Sequence, residues 1–268
     1  MTSDHSPAPS GRNAANTTGR LVGVGVGPGD PELVTLLAVR TLESATRVVA
    51  PTTAPDAPGR AETIVRQLLP DLVIERLPFD MSADHAPGGR DARAASHRAA
   101  AETLAPALLA GECVAFITLG DPNIYSTFPS LADGVRRLVP EVVVDTVAGI
   151  TAFQALAGRS GTVLLDGTES LSLVTALDGV SHAAGALADP ERAVVIYKGG
   201  RHLPAIAKLL AEHGRLQGAV FGELLGLPGE RIGPVDGAVD GPAAYLATVI
   251  VPPVGRHTDR ENPLSRRP

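Results

Sequence analysis

The stretch that decides the fold is LVGVGVG (Leu21 to Gly27), then PGD (Pro28 to Asp30), then PELVTLLAVRTLESA (Pro31 to Ala45). Its first piece is a β-branched run of strand length; its last spaces Leu33, Leu36, Leu37 and Arg40 by threes and fours, the spacing of a helix face. Between them Asp30 can accept a free N–H of the first helical turn, and Pro31 suits the first helical position, where its missing donor costs nothing. Strand, tight turn and helix are expected in succession.

Outward from that unit the alternation repeats. RVVAPT (47–52), LVIERLPF (72–79), ECVAFITLG (112–120) and EVVVDTVAG (141–149) read as strands. AETIVRQLL (61–69), an Ala-rich segment from about Asp91 to Ala110 closed by Gly111, and STFPSLADGVRRL (126–138) read as helices between them. Such alternation indicates a mostly parallel sheet with helices on both faces. Beyond Gly149 come a helix (TAFQALAGR, 151–159), a strand (SLSLVTAL, 170–177), a short Ala-rich helix, a strand (RAVVIYKGG, 192–200) and a helix (LPAIAKLLAEHG, 203–214). GAVFGELLG, GERIGPV and AAYLATVIVPP then follow as short extended runs separated by Gly and Pro, which suggests antiparallel strands finishing a mixed sheet. The expected architecture is α/β: two αβα domains with a cleft between them, over residues 21–147 and 148–253. Residues 1–20 are expected to be a disordered lead and 254–268 a flexible tail.

Composition narrows the function. Hydrophobic residues make up 44% of the 268, yet there are only three Tyr, five Phe and no Trp, so the core is built from small aliphatic side chains. The single cysteine, Cys113, excludes an internal disulfide and points to a reducing compartment, the cytoplasm. The first twenty residues carry no apolar h-region, and no apolar run is long enough to span a bilayer. A net charge of −6 disfavours a nucleic-acid partner. Locally, however, Arg90, Arg93 and Arg98 outnumber Asp91; by charge alone, a solvated helix face fits that segment better than a binding site.

Three turns are candidate ligand sites. Gly23, Gly25, Gly27 and Gly29 do not complete G-x-G-x-x-G, because Pro28 and Asp30 occupy the sixth positions, so a dinucleotide reading fails. What is left is a strand end where backbone can approach a ligand closely, or a purely structural turn. LGDPNIYST (119–127) ends a buried strand at the edge where α/β sheets bind ligands, with Ile124 and Tyr125 offering apolar and aromatic surface; an ordinary Asp-Pro turn looks the same. VAGITAFQALAGRSG (147–161) opens a helix at Thr151 and Ala152, as any strand-to-helix turn does. No phosphate loop, H-E-x-x-H or nucleophile elbow occurs, and the seven His lack ligand spacing, so neither a metal site nor a serine nucleophile is expected.

In order, GVGVGPGDPELVTLLAVRTLESA, TLGDPNIYSTF, VAGITAFQALAGR, VVIYKGGRHLP and GELLGLPGERI resemble the tetrapyrrole methylase family over roughly Leu21 to Pro252. Within that family, GDPNIYSTF with YKGGRHLP and LPGERI is most similar to members that methylate precorrin-2, or its cobalt form, at carbon 20 of the macrocycle. The resemblance implies a homodimer with S-adenosylmethionine bound between the two domains. It places cofactor contacts at Pro28, at Leu119, Gly120, Asp121, Ile124 and Tyr125, at Thr151 and Ala152, and at Lys198 and Leu225. It also gives Arg90, Arg93 and Arg98 a role in binding a carboxylate-rich substrate; no general base is implied. Ala148 departs from the family, which often has proline there, and Lys198 would repel a sulfonium unless it turns to solvent or to a substrate carboxylate. A sibling methylase, including one like diphthine synthase, and a non-catalytic tetrapyrrole carrier are the alternatives.

Overall fold

The computed structural model describes residues 18–54, 56–79, 89–237, 243–244 and 246–255. Most of the expected lead and tail, residues 80–88 and the side chain of Arg90 lie outside the described residues.

Five strands form the first sheet: β1 (Arg20–Gly25), β2 (Arg47–Thr52), β3 (Ile74–Pro78), β4 (Cys113–Thr118) and β5 (Val143–Val147). Their order is β3-β2-β4-β1-β5 and every pairing is parallel. Helices α1 (Leu36–Ser44) and α2 (Arg60–Leu68) bury Ala38, Leu42, Ile64 and Val65 against one face, where they join Val22, Val24 and Ile117. On the other face α3 (Gly89–Leu109) and α4 (Phe128–Leu138) cover Leu21, Val114 and Phe116 with Leu104, Leu108, Leu131 and Val135. Strands buried on both faces explain the near-continuous apolar runs of β1 and β4.

The second sheet is mixed, as expected. It contains β6 (Leu171–Thr175), β7 (Ala193–Tyr197), β8 (Val220–Glu223), β9 (Arg231–Pro234) and β10 (Thr248–Val251), in the order β6-β7-β10-β8-β9. Only β6 and β7 run parallel. Helix α5 (Ala152–Ser160) packs on one face, and α6 (Ser181–Leu187) and α7 (Leu203–Glu212) on the other. Arg215, 2% exposed, donates to the carbonyls of Asp189, Arg192 and Pro252 and so ties the end of β10 to the turn before β7.

One expectation needs correction. Residues 31–45 are not a single helix: Pro31–Leu33 form one 3-10 turn, and α1 begins only at Leu36. The physical reason is a competition between two caps. Asp30 accepts the Glu32 amide at 3.0 Å and starts the turn, while the Thr35 hydroxyl accepts the Ala38 amide at 3.1 Å and starts the helix afresh. Leu36 and Leu37 therefore emerge 75% and 60% exposed instead of lining the core. Among the described residues, no helix is long and apolar enough to cross a membrane.

Candidate functional site

The carboxyl ends of β1, β4 and β5 meet at one point. Gly27 and Gly120 form an isolated antiparallel bridge in which the Gly120 N–H donates to the Gly27 carbonyl at 2.7 Å. Gly25 and Gly149 close on Gly120 from below: a Cβ on Gly149 would lie 2.1 Å from the Gly120 oxygen, and one on Gly25 2.6 Å from it. Only glycine fits those two positions. Beside Gly120 itself, on the side a Cβ would take, the space is open.

Asp121 ties two of these loops together. Its Oδ1 accepts the Asn123 amide at 2.8 Å and its Oδ2 accepts the Gly149 amide at 3.0 Å, while Asn123 Nδ2 donates to Thr146 Oγ1 at 3.2 Å. The Ile124 amide donates to the Asp121 carbonyl, and Ser126 Oγ pairs with Thr118 Oγ1 at 3.0 Å. Leu119 is half-buried against the α1–α2 side of the sheet.

From the second sheet, Tyr197 at the end of β7 accepts the Phe153 amide in the first turn of α5 at 3.2 Å. Its ring stands edge-on to Tyr125, centroids 5.8 Å apart, and Tyr125 donates its hydroxyl to the Leu173 carbonyl of β6 at 3.0 Å. Burial pushes both phenols above their ordinary pKa; for Tyr197 the Phe153 amide opposes that shift. Thr151 is buried, and its amide and hydroxyl both donate to Gln154 Oε1, at 3.0 and 2.8 Å.

A second junction closes the other side. Pro28 and Gly29 are buried; a Cβ on Gly29 would strike the Leu225 carbonyl, and one on Gly226 would lie 2.2 Å from the Asp30 nitrogen. Arg159 of α5 spans it, donating to Asp30 Oδ2 at 3.0 Å and to Glu230 Oε1 at 2.7 Å. The other Glu230 oxygen accepts the Gly226 amide at 2.5 Å.

Backbone strain collects at the same loops. Among the described residues three non-glycine positions have positive φ: Tyr125 at 49°, Lys198 at 57° and Leu224 at 51°. Such conformations cost about 1–3 kcal/mol each and persist where the surroundings impose them, typically around ligands.

The ten residues expected at the cofactor lie at three places: Pro28 and Leu225 at the second junction, Leu119, Gly120, Asp121, Ile124 and Tyr125 at the first, and Thr151, Ala152 and Lys198 around Tyr197. Arg93 and Arg98 do not join them. They line a separate hollow of about 830 Å³ between α3, α4 and the turn after β6, with His97, Arg137 and Asp178. Glu102, Asp133 and Asp178 there equal the three arginines in number. Strain and close backbone approach occur at the loop junction, and that junction is the better candidate for the cofactor. Tyr197 and Arg159 join these loops and were not singled out from the sequence; the aromatic at the end of RAVVIY was the one available signal for the first.

The model of the "Tetrapyrrole (Corrin/Porphyrin) Methylases" family matches residues 20–238. The chain belongs to this family. It is 35% identical over 238 residues to the precorrin-2 C(20)-methyltransferase of a Sinorhizobium species, covering 87% of this chain and 95% of that protein. It is 32% identical over 236 residues to the cobalt-precorrin-2 C(20)-methyltransferase of Salmonella typhimurium, covering 87% and 96%. Among solved structures, the uroporphyrin-III C-methyltransferase of Thermus thermophilus in complex with S-adenosylhomocysteine superposes with a TM-score of 0.59 at 21% identity, over 87% of this chain and 97% of that one. That likeness is one of fold.

Proposed function

We propose that the protein is an S-adenosylmethionine-dependent methyltransferase that methylates precorrin-2, or its cobalt form, at carbon 20. The observation that carries this reading is the 35% identity maintained across 95% of a relative with that activity. The site supports it. The glycines at 25 and 149 let the Gly27–Gly120 bridge pack at close range, and the space beside Gly120 on the side a Cβ would take is open to a ligand.

Pro28, Leu119 to Asp121, Ile124, Tyr125, Thr151, Ala152, Lys198 and Leu225 would hold the donor, and together they bridge the two domains we assign to residues 21–147 and 148–253. When bound, S-adenosylmethionine would supply a sulfonium-activated methyl group for in-line transfer to an electron-rich macrocycle carbon, with S-adenosylhomocysteine as the leaving group and the proton of that carbon released. The protein's share is placement. Correct orientation of two reactants is worth up to about 7–11 kcal/mol, so no dedicated nucleophile is needed. Arg93 and Arg98 would receive substrate carboxylates at the hollow they line, and the family resemblance gives Arg90 the same role. A homodimer in the cytoplasm is the working state we infer; the family resemblance supports the first part and the lone Cys113 the second.

Incubation with methyl-labelled S-adenosylmethionine and precorrin-2 or cobalt-precorrin-2, followed by NMR of the product, tests the reading. A label at carbon 20 is expected. A label at another carbon would make the protein a sibling methylase, and tetrapyrrole binding without turnover would make it a carrier.

A further inference from the structure

β10 opens with Thr248, which stands opposite Tyr197 of β7 on one side and Gly222 of β8 on the other. Directly opposed residues in antiparallel strands project to the same face, and so do residues two apart along a strand. Ile250, two positions on, packs with Ala155 and Leu156 of α5. Thr248 therefore points to the α5 side, next to the Tyr197 ring whose hydroxyl receives the Phe153 amide.

The Thr248 side chain is fully buried, and among the described residues no group hydrogen-bonds its Oγ1. Buried hydroxyls are almost always satisfied, because an orphan loses its water without replacement. The rest of the strand is Val249, Ile250 and Val251, so a valine at 248 would continue the pattern and remove the penalty. The residues around this hydroxyl are not ordinary core. Lys198 follows Tyr197 with φ 57°, Leu224 follows β8 with φ 51°, and Leu156 Cδ1 and Leu225 Cδ2 lie over Gly222, 2.6 and 2.9 Å from where a Cβ would stand. Lys198, Leu224 and Leu225 sit at the ends of β7 and β8, the edge that faces the α5 start.

We propose that the Thr248 hydroxyl is a binding group for the adenosyl part of the methyl donor, paired with a ribose hydroxyl or a purine nitrogen once the ligand displaces Leu225 from above Gly222. A hydroxyl can donate and accept, so it can serve either partner. This inference rests on the proposed donor and adds a residue outside the five motifs that carry the family resemblance.

Calorimetric titration with S-adenosylhomocysteine, beside thermal unfolding of the ligand-free protein, tests it on the wild type, T248V, T248A and T248S. T248V should bind about three- to tenfold more weakly, the range that one neutral hydrogen bond supplies. Its ligand-free Tm should match or exceed that of the wild type, and T248S should bind within about twofold of it. T248A, which also lacks the hydroxyl, gives the same reading if T248V does not fold. Wild-type affinity in T248V with a raised Tm would make the hydroxyl a packing defect and overturn the proposal. T248S as weak as T248V would overturn it too, by assigning the effect to the methyl group. Those results leave the methyltransferase reading intact, whereas a wild type that binds no S-adenosylhomocysteine removes both.

Discussion

Asp121 and Gly149, 28 positions apart, are joined by a hydrogen bond of 3.0 Å from the Gly149 amide to the Asp121 carboxylate. With the second oxygen on the Asn123 amide, this side chain sets the spacing of two of the three loops around Gly120. A turn-edge acid that looks free in sequence is in fact engaged on both oxygens.

Asp121→Ala should therefore weaken S-adenosylhomocysteine binding and also cost stability, by about 1–3 kcal/mol, since two amides lose a charged acceptor. Asp121→Asn keeps an acceptor for only one amide and should fall between. Titration calorimetry and denaturant unfolding of both variants check this; lost affinity with unchanged stability would mean that the carboxylate serves the ligand alone.

Arg159 should behave as the clasp of the second junction. It joins Asp30 and Glu230 from opposite sides, and its guanidinium can hold two carboxylates where a lysine ammonium holds one well. The three side chains are a quarter to a third exposed, so solvent weakens the pair and about 1–2 kcal/mol is expected for Arg159→Met. The sharper readout is functional: the donor KM should rise while the tetrapyrrole KM stays unchanged, with Arg159→Lys intermediate. Equal rises in both would place the clasp's effect in general stability.

How much of this was legible beforehand depends on the range of the interaction. β2 coincides with RVVAPT because a β-branched run between turns is a local signal, and the mixed second sheet followed from short runs cut by Gly and Pro. The start of α1 was missed because Asp30 and Thr35 are both good caps, and only the packing of Leu33 and Val34 between them decides that both are used. Arg159 meets Asp30 across 129 positions, and Tyr197 meets Phe153 across 44, so no spacing rule could pair them. The orphan at Thr248 was equally invisible: TVIV reads as an ordinary buried strand until register shows which side the hydroxyl faces.

Acid should loosen the first half through Glu62. This carboxylate is fully buried in α2, where burial would raise its pKa, but hydrogen bonds from Arg76 and Arg66 outweigh that and hold it below the ordinary range. A folded pKa below the unfolded one means that the folded state binds fewer protons. The stabilisation is fully present above the ordinary carboxylate range and fades as pH falls through the depressed value. Glu62→Gln should cost about 1–3 kcal/mol at neutral pH, because Arg66 and Arg76 are 40% and 29% exposed and can rehydrate. Its unfolding free energy should also fall less steeply with acid; parallel curves for variant and wild type would refute the assignment.

The last prediction concerns substrate charge. Arg93 and Arg98 line a hollow whose basic residues, with Arg137, are matched in number by Glu102, Asp133 and Asp178, so its overall field favours no sign. Two of those acids differ in what they leave over: Asp133 is already paired with Arg136 at 3.1 Å, and Glu102 forms no ion pair with any described residue. If the macrocycle's carboxylates enter this hollow, Arg93 and Arg98 are the side chains that line it and would receive them. Replacing Arg93 and Arg98 together with alanine should then raise the tetrapyrrole KM about tenfold or more, since a charge-assisted hydrogen bond is worth roughly 1.5–3 kcal/mol. S-adenosylhomocysteine affinity should stay within about twofold, the 0.5 kcal/mol expected of surface changes away from a ligand. Steady-state kinetics at two ionic strengths separates this from simple screening. A contact made in the complex leaves a large difference between wild type and double mutant at high salt, whereas a solvated helix face gives a small difference that vanishes. If KM does not move, the carboxylates are received elsewhere, and Arg201, exposed in the turn after Lys198, is the next position to substitute.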